Sequence, residues 1–269
     1  MKIGLYASMF GKDDPPTLKT VESFIEWAYA LRLDVIDFRS DKGFDSHGGD
    51  YVKQIKLQCF KRGLSIGYVA SSGHFVGTDE ELQAKLEQAR KDTDLAVALG
   101  TPMIRLFCGQ PLEDAEQRRR EIDCFQRASD YAASKGIAVG LQNHPSTGDD
   151  IVRIMEETDR DNFTFLLDTG QWLGSPGRNK GVPEPGGHDI YKYMEQTAKY
   201  AAHVRAKFYK IDSGQEEWLD YPRIIDILRN AGFNGTLGIV FEGQGVNDCD
   251  DKTVIKLAAE QLRGLVGRD

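Results

Sequence analysis

The run GIAVGLQNHPS, residues 136–146, is apolar until it ends in Gln142, Asn143 and His144. Side chains alternate along an extended strand, so Gln142 and His144 share a face, and Pro145 keeps His144 extended and stops the strand. Other apolar runs end in the same manner. DVIDFRS puts Asp37 and Arg39 on one face, MIRLFCG carries Arg105, and FTFLLDTG ends in Asp168. HVRAKFYKI aligns His203, Arg205 and Lys207, and GTLGIVFEG ends in Glu242. Charged side chains are rarely buried without partners. This many ionisable side chains at strand ends suggest a polar site rather than a dry core. The same residues could equally form a structural ion-pair network, Asp168 and Glu242 pairing Arg205 and Lys207.

These residues need a scaffold that brings strand ends together. Strand-like runs over 2–7, 34–40, 64–72, 103–109, 137–144, 163–170, 203–211 and 235–243 alternate with segments of helical periodicity. Such alternation indicates a parallel sheet, and eight units in 269 residues fit one (β/α)8 barrel spanning 1–269 better than an open doubly wound sheet. The C-terminal ends of barrel strands are where active sites lie. One connection, residues 171–187, is long and rich in glycine and proline, and follows the sixth strand. Long loops in compact domains are often functional, so Trp172, Arg178 and Lys180 are expected to close over a ligand. The charge run QRRRE, 117–121, reads as a solvated helix face.

The net charge of −8 argues against a nucleic-acid partner but leaves room for one local basic pocket. The four cysteines show no CxxC spacing and read as reduced thiols. No apolar stretch is long enough to span a membrane, and the N-terminus does not resemble a signal peptide, so a cytoplasmic protein is expected. An assembly of several identical copies is left open.

The order of LQNHP, LLDTGQ, HVRAKFY and IVFEGQG resembles the xylose isomerase-like TIM-barrel superfamily of sugar phosphate isomerases and epimerases, along essentially the whole chain. The resemblance implies a divalent metal held by Glu, Asp, His and Glu on strands five to eight, with the two glutamates moving protons on a keto-sugar. Asp168 matches the strand-six aspartate and Glu242 the strand-eight glutamate. Gln142 stands for the strand-five glutamate, Arg205 for the strand-seven histidine, and Gln171 for a substrate-binding histidine after strand six. A glutamine amide brings no charge to a metal, and arginine has no lone pair to give. Arg205 would instead occupy the cation's place, pairing both carboxylates. The expectation is no cofactor, or one weakly bound Mn, Mg or Zn ion on Asp168 and Glu242 with Gln142 as a further oxygen.

The sugar-like substrate would then meet Glu242 as general base, with Lys207 and Arg205 stabilising the enediolate. Gln142, His144, Gln171, Arg105, His74 and Trp172 would hold its hydroxyls and flanks. His203, two residues before Arg205, is expected one layer lower, as a hydrogen-bonded core histidine. A lyase or dehydratase begins with the same proton abstraction. A Schiff-base aldolase using Lys207, a non-catalytic sugar-binding barrel and a metal-dependent abasic-site repair enzyme are the remaining alternatives, the last disfavoured by charge and ligands.

Overall fold

The structure, a computed structural model, describes residues 1–7, 18–41, 44, 46–71, 73–182 and 186–267. Strands and helices alternate as β1 (Lys2–Ala7), α1 (Val21–Ala30), β2 (Val35–Arg39), α2 (Gly49–Lys61), β3 (Ser65–Ala70), α3 (Asp79–Leu99), β4 (Met103–Phe107) and α4 (Ala115–Ser134). They continue as β5 (Ala138–Gln142), α5 (Gly148–Thr158), β6 (Phe163–Asp168), α6 (Ile190–Thr197), β7 (Ala201–Phe208), α7 (Tyr221–Asn230), β8 (Thr236–Phe241) and α8 (Asp251–Val266). All neighbouring strands pair in parallel, and β1 closes on β8, so the chain is a (β/α)8 TIM barrel.

Local chemistry agrees with this plan. Thr20 and Thr78 form capping boxes with Ser23 and Glu81 at the starts of α1 and α3. The side chains of Asp114, Thr147, Asp189, Asp220 and Asp250 accept from first-turn N–H groups of α4 to α8. Gly100 and Gly267 end α3 and α8 in the left-handed conformation that L-residues avoid. No helix among the described residues is long and apolar enough to cross a membrane.

Every strand but β1 stops one to three residues before its predicted end, and at two of them this bears on the site. β5 ends at Gln142 rather than His144, and β8 at Phe241, one residue before Glu242. Beyond Gln142 a side chain replaces the ladder: Asn143 Nδ2 donates to the Asp168 carbonyl at 2.9 Å, and the Asp168 N–H donates to Asn143 Oδ1 at 2.9 Å. The loop after β6 is also less irregular than expected. Trp172 bridges to Ser146, and a 3-10 turn follows at Pro176–Asn179; the remainder at 183–185 lies outside the described residues.

The charge run on α4 is only partly solvated. Glu121 shares the buried side of the helix with Phe125 and Ala128, at helical spacing, and is itself buried. Burial, with Asp150 adding repulsion against the pull of Arg153, pushes its carboxyl up to about 7.

Candidate functional site

Two layers of polar side chains cross the barrel lumen. In the lower layer, His203 from β7 meets Asp37 from β2, with Nε2 3.0 Å from Oδ2. Tyr68 from β3 packs edge-on against the imidazole, centroids 5.1 Å apart. Glycines leave room for the pair. A Cβ on Gly67 would overlap the Asp37 carboxylate, and one on Gly238 would lie 2.7 Å from its Oδ2. His203 thus sits below the strand-end carboxylates as a buried, bonded core histidine, as its position in the strand indicates.

The upper layer joins β4 to β8. Asp168, the last residue of β6, accepts through Oδ2 from Arg205 Nε at 2.9 Å and from Gln142 Nε2 at 2.8 Å. Its Oδ1 accepts from the Gly170 N–H at 3.0 Å, and Lys207 Nζ stands 3.6 Å from Oδ2. Lys207 also donates to Glu242. Arg205 donates through Nη1 to the Tyr68 hydroxyl, and its guanidinium carbon lies 4.1 Å from the centre of the Tyr6 ring. This ring contact adds cation–π attraction to the carboxylate bond. The ion-pair network foreseen from the sequence is therefore present, but Arg205 does not pair both carboxylates as expected: it bonds Asp168, and the shorter reach of Glu242 is to Lys207. The network is not closed, because the Glu242 side chain is 41 % exposed. Desolvation works to raise the Glu242 pKa, but Lys207 and Arg205 outweigh it and hold the carboxyl below its ordinary range. Glu242 is placed by its own backbone N–H, which donates to the Phe208 carbonyl at 3.0 Å.

Gln142 links Asp168 to a third cation. Its Oε1 accepts from Arg105 Nη1 at 2.7 Å, while its Nε2 serves Asp168. Donor–acceptor logic dictates this orientation, since a guanidinium only donates and a carboxylate only accepts. Both ends of the amide are committed, so Gln142 sits in the site as a bridge between a cation and an anion.

Above Arg105, Phe107 carries His74 stacked on one side, centroids 5.5 Å apart, and His144 tilted against it at 5.0 Å. Burial lowers the pKa of both histidines, so both are neutral near pH 7. Gln171 reaches Glu242 from the loop after β6, Nε2 to Oε2 3.4 Å.

Trp172 does not join this mouth. It is fully buried outside the barrel against Phe165 and Tyr193 of α6, because its bridge to Ser146 turns it behind β6 rather than over the lumen. Sequence reading missed Tyr6, Tyr68, Asn143 and Thr169. Thr169 accepts from the Lys207 N–H at 3.0 Å, holding β7 beside β6. The alternation in LYA and YVA was the available signal for the two tyrosines. A cavity of about 620 Å³ lies at the opposite, N-terminal end, reaching Gly67, Met103 and His203, away from this chemistry.

The model of the xylose isomerase-like TIM barrel matches residues 25–265. The chain belongs to that family. Among solved structures, the xylose isomerase domain protein of Planctomyces limnophilus is 16 % identical, with a TM-score of 0.75 over 98 % of this chain and 96 % of that one. The D-psicose 3-epimerase of Clostridium cellulolyticum H10 is 13 % identical, with a TM-score of 0.74 over the full length of both chains. At these identities the likeness is one of fold. A segment of 74 residues is 36 % identical to inosose dehydratase from Geobacillus thermodenitrificans, spanning 26 % of this chain and 25 % of that protein.

The donor set does not fit the divalent metal that the family resemblance implies. Arg205 Nε lies on Asp168 where a metal ligand is needed, and the Gln142 oxygen is turned away to Arg105. The described residues contain no group of three His, Cys, Asp or Glu side chains that could hold an ion. Lysine and arginine at the two carboxylates also oppose a second cation, by about 4 kcal/mol per unit charge at ~4 Å and an effective dielectric of ~20.

Proposed function

We propose that this protein is an isomerase or epimerase of a sugar-like substrate, moving a proton on and off a carbon next to a carbonyl. The observation that carries this reading is the Lys207–Glu242 pair, a carboxylate held ionised and open at the mouth with an ammonium beside it. Glu242 takes the proton from the carbon. The C–H electron pair moves to the carbonyl carbon, and the carbonyl π pair passes to its oxygen. Lys207 donates to that oxygen as the negative charge develops. To give an isomer, Glu242 returns the proton to the neighbouring carbon, while Lys207 gives a proton to the old carbonyl oxygen and regains one from the hydroxyl that becomes the new carbonyl. To give an epimer, a water at the open mouth protonates the opposite face of the same carbon, and Glu242 releases its proton to solvent. Asp168, itself held by Arg205, draws Lys207 from below. Neutral His74 and His144 and the Gln171 amide offer hydrogen bonds to hydroxyls at the rim.

Deuterium uptake tests the reading. Simple ketoses incubated with the protein in heavy water are expected to gain deuterium at the carbon beside the carbonyl. A folded protein that exchanges none across neutral and acidic ketoses is outside this reading. The 74-residue likeness to inosose dehydratase favours a second reading, in which the same proton abstraction is followed by loss of a β-hydroxyl as water. Mass spectrometry separates the two, since only elimination reduces the product mass by one water. A Schiff base on Lys207 requires a free amine, whereas its Nζ is engaged by Glu242 and faces Asp168; borohydride trapping is expected to leave the chain unlabelled.

A further inference from the structure

Arg105 is 8 % exposed, and its guanidinium meets no carboxylate among the described residues. Its Nη1 donates to the Gln142 amide and its Nη2 to the Ser71 carbonyl at 2.6 Å. Both acceptors are neutral. Nε is buried with no acceptor among the described residues. The flat face lies 5.2 Å from the centre of the Phe107 ring, which attracts the cation without neutralising it.

The nearest carboxylate along the network has nothing left to offer. Asp168 already receives Arg205, Gln142 and the Gly170 N–H, with Lys207 at 3.6 Å. Glu242 belongs to Lys207. Arg39, the next cation, has its own partner in Asp41, Nε to Oδ1 2.7 Å. Among the described residues the upper layer thus holds three cations, Arg105, Arg205 and Lys207, against two carboxylates, Asp168 and Glu242. Burial pushes the Arg105 pKa down and Arg205 and Arg39 add repulsion, yet arginine does not give up its proton in a protein. A buried charge without a counter-ion is costly, and an unpaired buried donor adds to the cost. In a chain of net charge −8, this surplus is local and sits one amide away from Asp168, which in turn faces Lys207 of the reacting pair at 3.6 Å.

We infer that Arg105 holds an anionic group of the substrate, a carboxylate or a phosphate, beside the Lys207–Glu242 centre, so that the substrate is an acidic sugar rather than a neutral one. This rests on the mouth being the substrate site. The anion meets the guanidinium through the Nη hydrogens that Gln142 and Ser71 leave over, with the Phe107 ring as the flat wall of the subsite. The glutamine at 142 is what leaves Arg105 free, for a glutamate there would pair with it internally.

Two matched series test this: glycerol, glycerate and glycerol 3-phosphate; and fructose, fructuronate and fructose 6-phosphate. Binding is read by calorimetry and by thermal stabilisation at fixed ionic strength. In the unmodified protein, one kind of charged member is expected to bind about 10- to 100-fold more tightly than its neutral partner, as a charge-assisted pair allows. The tighter arm identifies the group as carboxylate or phosphate. Arg105→Gln should abolish the preference. Gln142→Glu should abolish it as well, with Arg105 intact, and it decides the matter if Arg105→Gln does not fold. Equal binding of neutral and charged members in both arms, or a preference that survives both substitutions, overturns the inference. Deuterium uptake is scored separately: anion preference without exchange removes the proton-transfer reading and keeps the subsite, while exchange on neutral ketoses without preference does the reverse.

Discussion

The two layers of the lumen hold similar residue types and differ in how the charges are matched. In the lower layer one carboxylate meets one imidazole at 3.0 Å, a tyrosine ring covers the contact, and glycines close the space around it. In the upper layer one carboxylate serves several donors, the other opens to solvent, and one arginine meets only neutral acceptors. In the lower layer the ring and the carboxylate each have one partner in the other, with Asp37 Oδ1 left without a hydrogen bond among the described residues, and that arrangement makes a core. Where partners are left over, the protein carries a cost that a ligand can relieve, and that arrangement makes a site.

The comparison can be broken from either end. The largest effect is expected at Glu242: Glu242→Gln should keep the fold, because the side chain stands at the open mouth, and should slow deuterium uptake by about 10³-fold, within the range of a lost general base. Near-normal exchange by the folded variant would remove Glu242 from the base role. His203→Leu should do the opposite. It strands Asp37 in the lower layer and should lower stability in urea by about 4 kcal/mol, the penalty of a buried pair broken on one side, with exchange per folded molecule retained. Equal loss of activity would mean that the layers are not separate.

Glu121 sharpens the contrast from outside the lumen, since it too is buried with incomplete partners: Oε2 accepts no hydrogen bond and Arg153 stands 3.7 Å away. Its carboxyl is pushed from an ordinary 4.5 to about 7 in the folded chain. The folded state therefore holds this proton more tightly than the unfolded one. The stability it gives is fully present below pH ~4.5 and is lost as pH rises towards ~7, by roughly 3 kcal/mol. Unfolding free energies of the parent and Glu121→Gln, measured across this window, should diverge by that amount; parallel curves would show that Glu121 is not protonated there. The smallest effect is expected from manganese or a chelator, neither of which should alter the exchange rate of the parent. The double change Gln142→Glu with Arg205→His should instead create stoichiometric manganese binding in calorimetric titration. Tight stoichiometric binding by the parent would mean that its carboxylates accept a metal despite Arg205.

The barrel was readable because each strand–helix unit repeats the same change of hydrophobic period, and glycines and capping side chains punctuate it. Asp168, Arg205, Lys207 and Glu242 were readable because they interrupt apolar runs at strand ends. The contacts that place them were not, since Arg205 and Tyr68 meet across 137 residues of chain and each tyrosine reads locally as an ordinary strand residue. Trp172 was misplaced for a related reason. Its glycine-rich surroundings suggest a surface loop, while the backbone bridge that carries it behind β6 comes from a different segment, at Ser146. Glu121 shows the limit of charge patterning, because a residue at the edge of a charged run can still lie on the inward side of its helix.

Arg205, laid on Tyr6 and bonded to Asp168 and Tyr68, has one further consequence. A metal ion must be acquired from the surroundings and can be lost to dilution or exchanged for a competitor. A guanidinium is part of the polypeptide, delivered in fixed ratio with every copy made. Its positive charge is in place once the barrel closes, with no loading step and no dependence on the supply of trace elements.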